Sequence, residues 1–229
     1  MAHYIIATIK SWNIENSRMI IGQYPEHSFT LVTGRDGLTC AMLEKLRPEY
    51  IFFPHWSWLI PKSIYSNFNC VVFHMTDLPF GRGGSPLQNL LIRGIYETKV
   101  SAIKAGYGMD TGPVYCKEAL DISKGNADDI LRRVSDIVFK KMIPRFWQEE
   151  MVPEEQVGEP VIFNRRTPEQ SEIPEGLSQR QIYDYIRMLD GEGYPTAFSM
   201  AAGRKIFYRN ARLIDGVVYA DAEFERKSP

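Results

Sequence analysis

Short apolar runs alternate with amphipathic segments along the first third of the chain. The apolar runs are rich in β-branched and aromatic residues, which predicts strands over 4–9, 29–33, 50–53 and 70–73. The segments between them place apolar residues at helical spacing, which predicts helices over 18–21, 38–46 and 60–65. Because strands that alternate with helices pair in parallel, the pattern predicts a layered α/β fold with a mostly parallel sheet.

The later part of the chain changes character. The pattern predicts a helix over 88–94, strands over 100–105 and 113–117, and the longest helix over 128–147. From 149 to 176 the composition shifts to Glu, Pro and Gln, which is typical of an extended surface connection. Ser178 and Gln181 form a capping-box pattern for a helix that runs to Leu189, and short strands after it predict a β-hairpin unit. We expect a main domain over 1–150, and a linker and small C-terminal subdomain over 151–229.

The charge balance gives the chain no overall basic field. It has 27 Lys and Arg against 28 Asp and Glu, a formal net charge of −1, so the net charge does not favour tight binding to nucleic acid. Cys40, Cys70 and Cys116 are widely spaced without a Cys-x-x-Cys motif, which indicates reduced thiols rather than disulfides or a zinc site. No apolar stretch reaches the ~18 residues that span a bilayer, and the N-terminus lacks a signal-peptide pattern. We expect a cytoplasmic protein with no membrane partner and no metal.

A histidine and an aspartate stand where predicted strands end. His74 follows the strand at 70–73 and precedes a glycine-rich loop, and Asp110 lies at the turn between the strands at 100–105 and 113–117. In acyl transfer such a carboxylate orients the imidazole, and the imidazole stabilises the tetrahedral oxygen or moves a proton. We therefore predict His74 and Asp110 as catalytic residues.

The sequence around this pair resembles the 10-formyltetrahydrofolate-dependent formyltransferases. The family pattern is Asn-x-His, a Ser-Leu-Leu-Pro-like turn, Arg-Gly and Leu-Asp-Thr-Gly. The matching residues are Val72-Phe73-His74, Thr76-Asp77-Leu78-Pro79, Gly81-Arg82-Gly83 and Met109-Asp110-Thr111-Gly112. The resemblance covers residues 49–150 and implies that 1–150 form a Rossmann-like catalytic domain. Val72 stands where the family has its catalytic asparagine, and valine makes no side-chain hydrogen bond; candidates for that role are Asn13, His55, Ser57 and Thr76.

The resemblance also implies where the formyl donor, 10-formyltetrahydrofolate, is held. In the family the folate lies along the Ser-Leu-Leu-Pro-like turn and the loop before Asp-Thr-Gly. The cofactor-binding residues implied here are Thr76, Asp77, Leu78, Pro79, Gly83, Tyr107 and Gly108. Gly83 has a second explanation, since a tight loop with positive φ needs glycine without any ligand. We predict Asn13, His55 and Arg82 as substrate-binding residues; simple packing of His55 and a surface position of Arg82 are the alternatives.

The C-terminal part resembles the sugar N-formyltransferase branch. The matches are Arg-Arg-Thr-Pro-Glu at 165–169, Ile-Arg at 186–187 and Tyr-Pro-Thr-Ala-Phe at 194–198. This implies formylation of the amino group of a nucleotide-linked deoxyamino sugar by a homodimer, with no nucleic acid as partner. Two alternatives remain open. One is formylation of methionyl-tRNA, which the small C-terminal unit and the charge of −1 disfavour. The other is a catalytically inactive folate- or sugar-binding homologue, to which Val72 points.

Overall fold

The structure is a computed structural model that describes residues 1–226. Strands and helices alternate through its first half. In chain order they are β1 His3–Ala7, α1 Ser11–Gln23, β2 Ser28–Val32, α2 Cys40–Leu46, β3 Tyr50–Phe53, α3 Lys62–Tyr65, β4 Cys70–His74, β5 Phe80–Gly83, α4 Pro86–Ile92, β6 Glu97–Lys104, β7 Val114–Asp121, α5 Ala127–Ile137, α6 Arg145–Gln148, β8 Val161–Phe163, α7 Gln179–Arg187, β9 Phe198–Ala201, β10 Arg204–Ile214 and β11 Val217–Phe224.

Six strands form the central sheet in the order β2-β1-β3-β4-β6-β7. The four strands from β2 to β4 are parallel, and β6 runs antiparallel to β4. The central strands are buried on both faces: Ile5, Ile6, Ile51 and Phe52 are all 0% exposed. Continuous apolar runs are the usual sequence of strands covered on both sides. The predicted α/β fold with a mostly parallel sheet is confirmed.

The predicted helix over 128–147 is not one continuous helix. It ends as a regular α-helix at Ile137, passes through a wider π-helical turn at Val138–Met142, and resumes as α6 only after Pro144. Pro144 lacks the N–H of a helical hydrogen bond, and its ring crowds the preceding turn, so the regular helix is interrupted before it. The apolar repeat continues through this interruption. The helix predicted over 18–21 begins earlier than expected, at Ser11, and runs to Gln23 as α1.

The described residues divide into two compact units that are discontinuous in sequence. The first contains 1–82, 99–120 and 132–162; the second contains 83–98, 121–131 and the chain from 163 onward. The predicted domain boundary near residue 150 stays a prediction. In the second unit, Ser178 accepts a hydrogen bond from the backbone of Gln181 as the predicted capping box requires. Strands β9, β10 and β11 form a three-stranded antiparallel sheet, which confirms the predicted C-terminal antiparallel unit.

The cysteines are separate thiols. Cys70 and Cys116 are buried, and Cys40 is half-buried. Burial raises the pKa of the Cys70 thiol to about 12 and that of Cys116 to about 11, so both stay protonated at neutral pH. Among residues 1–226, no helix is long and apolar enough to cross a bilayer. In that same part of the chain, no three His, Cys, Asp or Glu side chains gather as a metal site.

Candidate active site

The structure brings the predicted pair together in the first unit. Nδ1 of His74 lies 3.4 Å from Oδ2 of Asp110, with side-chain exposures of 9% and 12%. The other ring nitrogen, Nε2, lies 2.8 Å from the carbonyl oxygen of Gly81. Because a carbonyl oxygen only accepts, Nε2 carries a hydrogen and donates it. Nδ1 faces the Asp110 carboxylate, the arrangement in which a carboxylate orients an imidazole.

His74 is positioned by the end of a strand, and Asp110 is positioned by a turn between two strands. His74 is the last residue of β4 and is paired with Ser101 of β6. Asp110 lies in the turn before β7 with φ of 55°. This turn packs tightly, because a Cβ on Gly112 would lie 1.8 Å from the carbonyl oxygen of Lys104. Only glycine fits there, so the Asp-Thr-Gly sequence has a packing reason as well as a chemical one.

The predicted folate turn, Thr76 to Pro79, is held by hydrogen bonds close to His74. Thr76 Oγ1 donates to the same Gly81 carbonyl that accepts from His74, at 3.3 Å. The carbonyl of Thr76 accepts from Ser101 Oγ at 2.7 Å and from the Leu78 N–H at 3.0 Å. Leu78 is 1% exposed. The turn is therefore a preformed feature of this unit.

Asp77 lies between two lysines. Its Oδ1 is 2.6 Å from Lys117 Nζ and its Oδ2 is 3.0 Å from Lys99 Nζ, and Lys117 also donates to the Leu78 carbonyl. Burial alone would raise the pKa of Asp77, but the hydrogen bonds and charges of the two lysines outweigh it and lower this pKa. Two ammonium groups against one carboxylate leave a positive charge beside the turn.

The loop that carries Tyr107 and Gly108 is exposed. The Tyr107 side chain is 93% exposed, while its carbonyl accepts from Thr111 Oγ1 at 2.7 Å. Gly108 has φ of 94°, and a Cβ there would lie 2.8 Å from Thr111 Oγ1. Gly83 belongs to the second unit; its φ is 108° and its Cβ would lie 2.4 Å from the Phe163 carbonyl oxygen. Both glycines thus have structural reasons, and their role in binding the donor stays a prediction.

Asn13 lies in the first turn of α1, which follows β1, and His55 lies just after the end of β3. Asn13 is 2% exposed, and its Nδ2 donates to Thr8 Oγ1 at 3.0 Å and to the Pro54 carbonyl at 3.2 Å. His55 has φ of 54°. Burial, with a smaller contribution from the charge of Lys10, lowers the pKa of His55 to about 4. His55 is therefore neutral at pH 7, and its role in substrate binding stays a prediction.

Arg82 contacts a residue that the sequence pattern missed. Its Nε and Nη2 donate to Gln156 Oε1 at 3.0 Å and 2.8 Å. Gln156 lies in the stretch predicted as an extended connection, and a single polar residue 74 positions away carries no signal of this contact.

Val72 pairs with Ile103 and packs against the apolar cluster around β1 and β3. Two residues apart on one strand, Val72 and His74 point to the same face of the sheet.

The described residues form an α/β protein whose mostly parallel sheet places a histidine–aspartate contact beside the end of β4. A methionyl-tRNA formyltransferase structure from Clostridium thermocellum is 50% identical, with a TM-score of 0.95 over 99% of this chain and 100% of that one. Residues 168–225 match the family model described as methionyl-tRNA formyltransferase, C-terminal domain. The chain belongs to the formyltransferase family. This family consists of folate-dependent one-carbon transferases, so the predicted enzyme class and the donor, 10-formyltetrahydrofolate, are confirmed at the level of the family.

Curated relatives align over shorter stretches. The methionyl-tRNA formyltransferase of Nitratiruptor sp. is 31% identical over 107 residues, which are 46% of this chain and 35% of that protein. The chain therefore spans about a third of the length of this relative. A sugar N-formyltransferase from Shewanella sp. has the same fold, with a TM-score of 0.70 over 92% of this chain and 97% of that one, but only 14% identity.

These comparisons contradict the predicted acceptor and partner. The prediction of a nucleotide-linked amino sugar, with no nucleic acid involved, is wrong, because the relative that matches over the whole chain at 50% identity is a methionyl-tRNA formyltransferase. The small size of the C-terminal unit does not distinguish sugar N-formyltransferases from methionyl-tRNA formyltransferases, because the Clostridium thermocellum enzyme is matched over 100% of its length. The net charge was also a poor guide, because contacts to phosphates depend on the local placement of Lys and Arg rather than on the total.

Proposed function

We propose that this protein transfers a formyl group from 10-formyltetrahydrofolate to the amino group of methionyl-tRNA. The observation that carries the proposal is the 50% identity over 99% of the chain to a methionyl-tRNA formyltransferase. The His74–Asp110 pair supports it, because transfer of an acyl group to an amine requires a group that moves a proton beside the reacting carbon.

The residues around the turn fit a folate. Folates carry an aromatic ring system and a glutamate tail with carboxylates. The excess positive charge of Lys99 and Lys117 over Asp77 suits that tail, and the exposed Tyr107 ring offers a flat surface for stacking. When bound, the donor supplies the activated formyl group. The protein holds it through the turn at 76–79 and the loop at 107–108.

His74 and Asp110 manage the proton in this proposal. The attacking amine must lose a proton, and the departing nitrogen must gain one. His74 donates from Nε2 to Gly81 and contacts Asp110 through Nδ1, so the ring is fixed in one orientation while a proton is exchanged at the pair. Thr76, one of the candidates for the role that Val72 cannot fill, donates to the same carbonyl as His74.

The test is an assay of formyl-methionyl-tRNA formation with purified protein, methionyl-tRNA and 10-formyltetrahydrofolate. We expect formylation that depends on both substrates and that is lost with deacylated tRNA or free methionine. Protein with the His74→Ala substitution serves as the control for contaminating enzyme. Absence of formyl-methionyl-tRNA with folded wild-type protein, or turnover of another amine in its place, would contradict the proposed acceptor.

A further inference from the structure

Gln156 uses all of its hydrogen-bonding capacity to join two parts of the site. Its Oε1 accepts from Arg82 Nε at 3.0 Å and from Arg82 Nη2 at 2.8 Å. Its Nε2 donates to the carbonyl of Asp110 at 2.9 Å and to that of Gly112 at 2.8 Å. A carboxamide accepts two hydrogen bonds and donates two, so each group of this side chain is satisfied. Gln156 thereby links β5 to the turn that carries Asp110.

These contacts close into a network around the His74–Asp110 pair. Arg82 directly follows Gly81, whose carbonyl accepts from His74 Nε2 at 2.8 Å. Asp110 in turn contacts the other ring nitrogen of His74 at 3.4 Å. The Gln156 network therefore consists of His74, Gly81, Arg82, Gln156 and Asp110. One strand, β5, holds the ring of His74 through Gly81 and the turn of Asp110 through Arg82 and Gln156.

The turn needs such support, because its backbone is locally unfavourable. Asp110 has φ of 55°, in the left-handed region, which aspartate adopts more readily than most residues but still at some cost. The direction of its side chain follows from this backbone, so a rotation of the peptide after Asp110 would move the carboxylate away from His74. Gln156 holds the oxygen of that same peptide. Strained backbone persists only where surrounding contacts fix it.

We propose that Gln156 and Arg82 are positioning residues that hold the Asp110 carboxylate against the His74 ring. The inference rests on the proposed function, since it takes proton transfer at this pair to limit formylation. It assigns Arg82 a role other than substrate binding. A displacement of about 1 Å at a catalytic group can lower a rate about 10²-fold, so loss of the network acts on turnover while the substrate contacts remain.

Two substitutions separate the hydrogen bonds that Gln156 accepts from Arg82 from those that it donates to Asp110 and Gly112. Gln156→Ala removes both sets. Gln156→Glu keeps an acceptor for Arg82 but turns a carboxylate oxygen, which cannot donate, toward the carbonyls of Asp110 and Gly112. Gln148→Glu is the matched control, because Gln148 is exposed and the change adds the same charge. We expect kcat to fall about 10- to 10²-fold in both Gln156 variants, with KM values for both substrates within about twofold of wild type. Gln148→Glu keeps wild-type values.

A second readout does not depend on activity. In protein labelled with ¹⁵N at histidine, the ring nitrogen signals of His74 report its hydrogen bonds in the absence of substrates, with assignment by the loss of signals in His74→Gln. We expect the Nδ1 signal to shift in both Gln156 variants and to be unchanged in Gln148→Glu. Unchanged ring signals together with wild-type kcat in folded Gln156→Ala would overturn the inference. A shift of the ring signals in a protein that does not formylate methionyl-tRNA would overturn the proposed function alone.

Discussion

At the scale of single residues, the site is organised by the acceptors around one imidazole. Gly81 O lies at one ring nitrogen of His74, and the Asp110 carboxylate lies at the other. A ring held between two acceptors cannot rotate without breaking a hydrogen bond, so its orientation is fixed before substrates arrive. Pre-organisation of this kind is a large part of how active sites lower barriers.

Conservative amide substitutions at the pair test this directly. His74→Gln and Asp110→Asn keep side-chain volume close to that of wild type but cannot exchange a proton, so we expect kcat to fall about 10²-fold or more. The measurement is steady-state formylation of methionyl-tRNA. Asp136→Asn is the matched control, because Asp136 forms an exposed ion pair with Lys140 at 2.9 Å, a class of contact worth about 0–1 kcal/mol. More than about a tenth of wild-type kcat in either site variant would exclude that residue from proton transfer.

His55 makes stability depend on pH. Its pKa is lowered from 6.5 to about 4 by burial and by Lys10, so between these values the unfolded chain binds a proton that the folded chain does not. Stability is therefore full above about pH 6.5 and falls as the pH drops toward 4. We expect a loss on the order of 1–2 kcal/mol between pH 7 and pH 5 from this residue. Urea unfolding of wild type and His55→Asn at both pH values measures it; Asn tolerates the left-handed backbone of this position.

The His55→Asn variant should lose less stability than wild type over that pH interval. Equal losses in the two proteins would show that His55 titrates near its ordinary pKa in the folded state.

At the scale of elements, β6 and the turn that follows it decide where Asp110 lies. The Lys104 N–H donates to the Pro113 carbonyl at 2.9 Å, so the chain closes on itself around Asp110. The Lys104 carbonyl then faces the α-carbon of Gly112 at a distance that excludes a side chain. The turn is therefore fixed from both ends, by β6 and by Gln156.

Two glycine-to-alanine substitutions, for which we expect stability changes of opposite sign, test this close approach. In Gly112→Ala the new Cβ would lie 1.8 Å from the Lys104 oxygen, and we expect a loss of about 3 kcal/mol or more together with loss of activity. In Gly22→Ala, within α1, the Cβ would meet nothing within 4 Å, and we expect a gain of about 0.5–1 kcal/mol with unchanged activity. Denaturant unfolding measures both. Wild-type stability in Gly112→Ala would contradict the packing of the turn.

At the scale of the whole molecule, a net charge of −1 must be reconciled with the proposed polyanionic substrate. For the proposed function, the 27 Lys and Arg residues need only be concentrated on the face that would meet tRNA, because charge beyond about 8–10 Å is screened at physiological salt. Binding then depends on local contacts to phosphates, and each contact releases counterions.

We expect the affinity for methionyl-tRNA, the proposed acceptor, to depend strongly on salt concentration. Between about 50 and 200 mM salt we expect the affinity for methionyl-tRNA to fall with a log–log slope of about −2 or steeper, as two or more phosphate contacts require. Fluorescence titration of labelled tRNA measures the slope. The same titration with the control variant Gln148→Glu shows how much the slope varies between protein preparations. A slope near zero would mean that phosphate contacts contribute little to recognition.

The sequence by itself determined the α/β class, the strand end at His74, the turn at Asp110 and the capping box at Ser178, because local periodicity and turn chemistry decide these features. It failed where distant residues decide. Nothing local connects Gln156 with Arg82, 74 positions away. The choice of acceptor also lay beyond it, since substrates are read by surfaces assembled from several elements. Only the tertiary structure places a glutamine from the far end of the first unit on the peptide of Asp110, because hydrogen bonds form between groups that are near in space, whatever their separation in sequence.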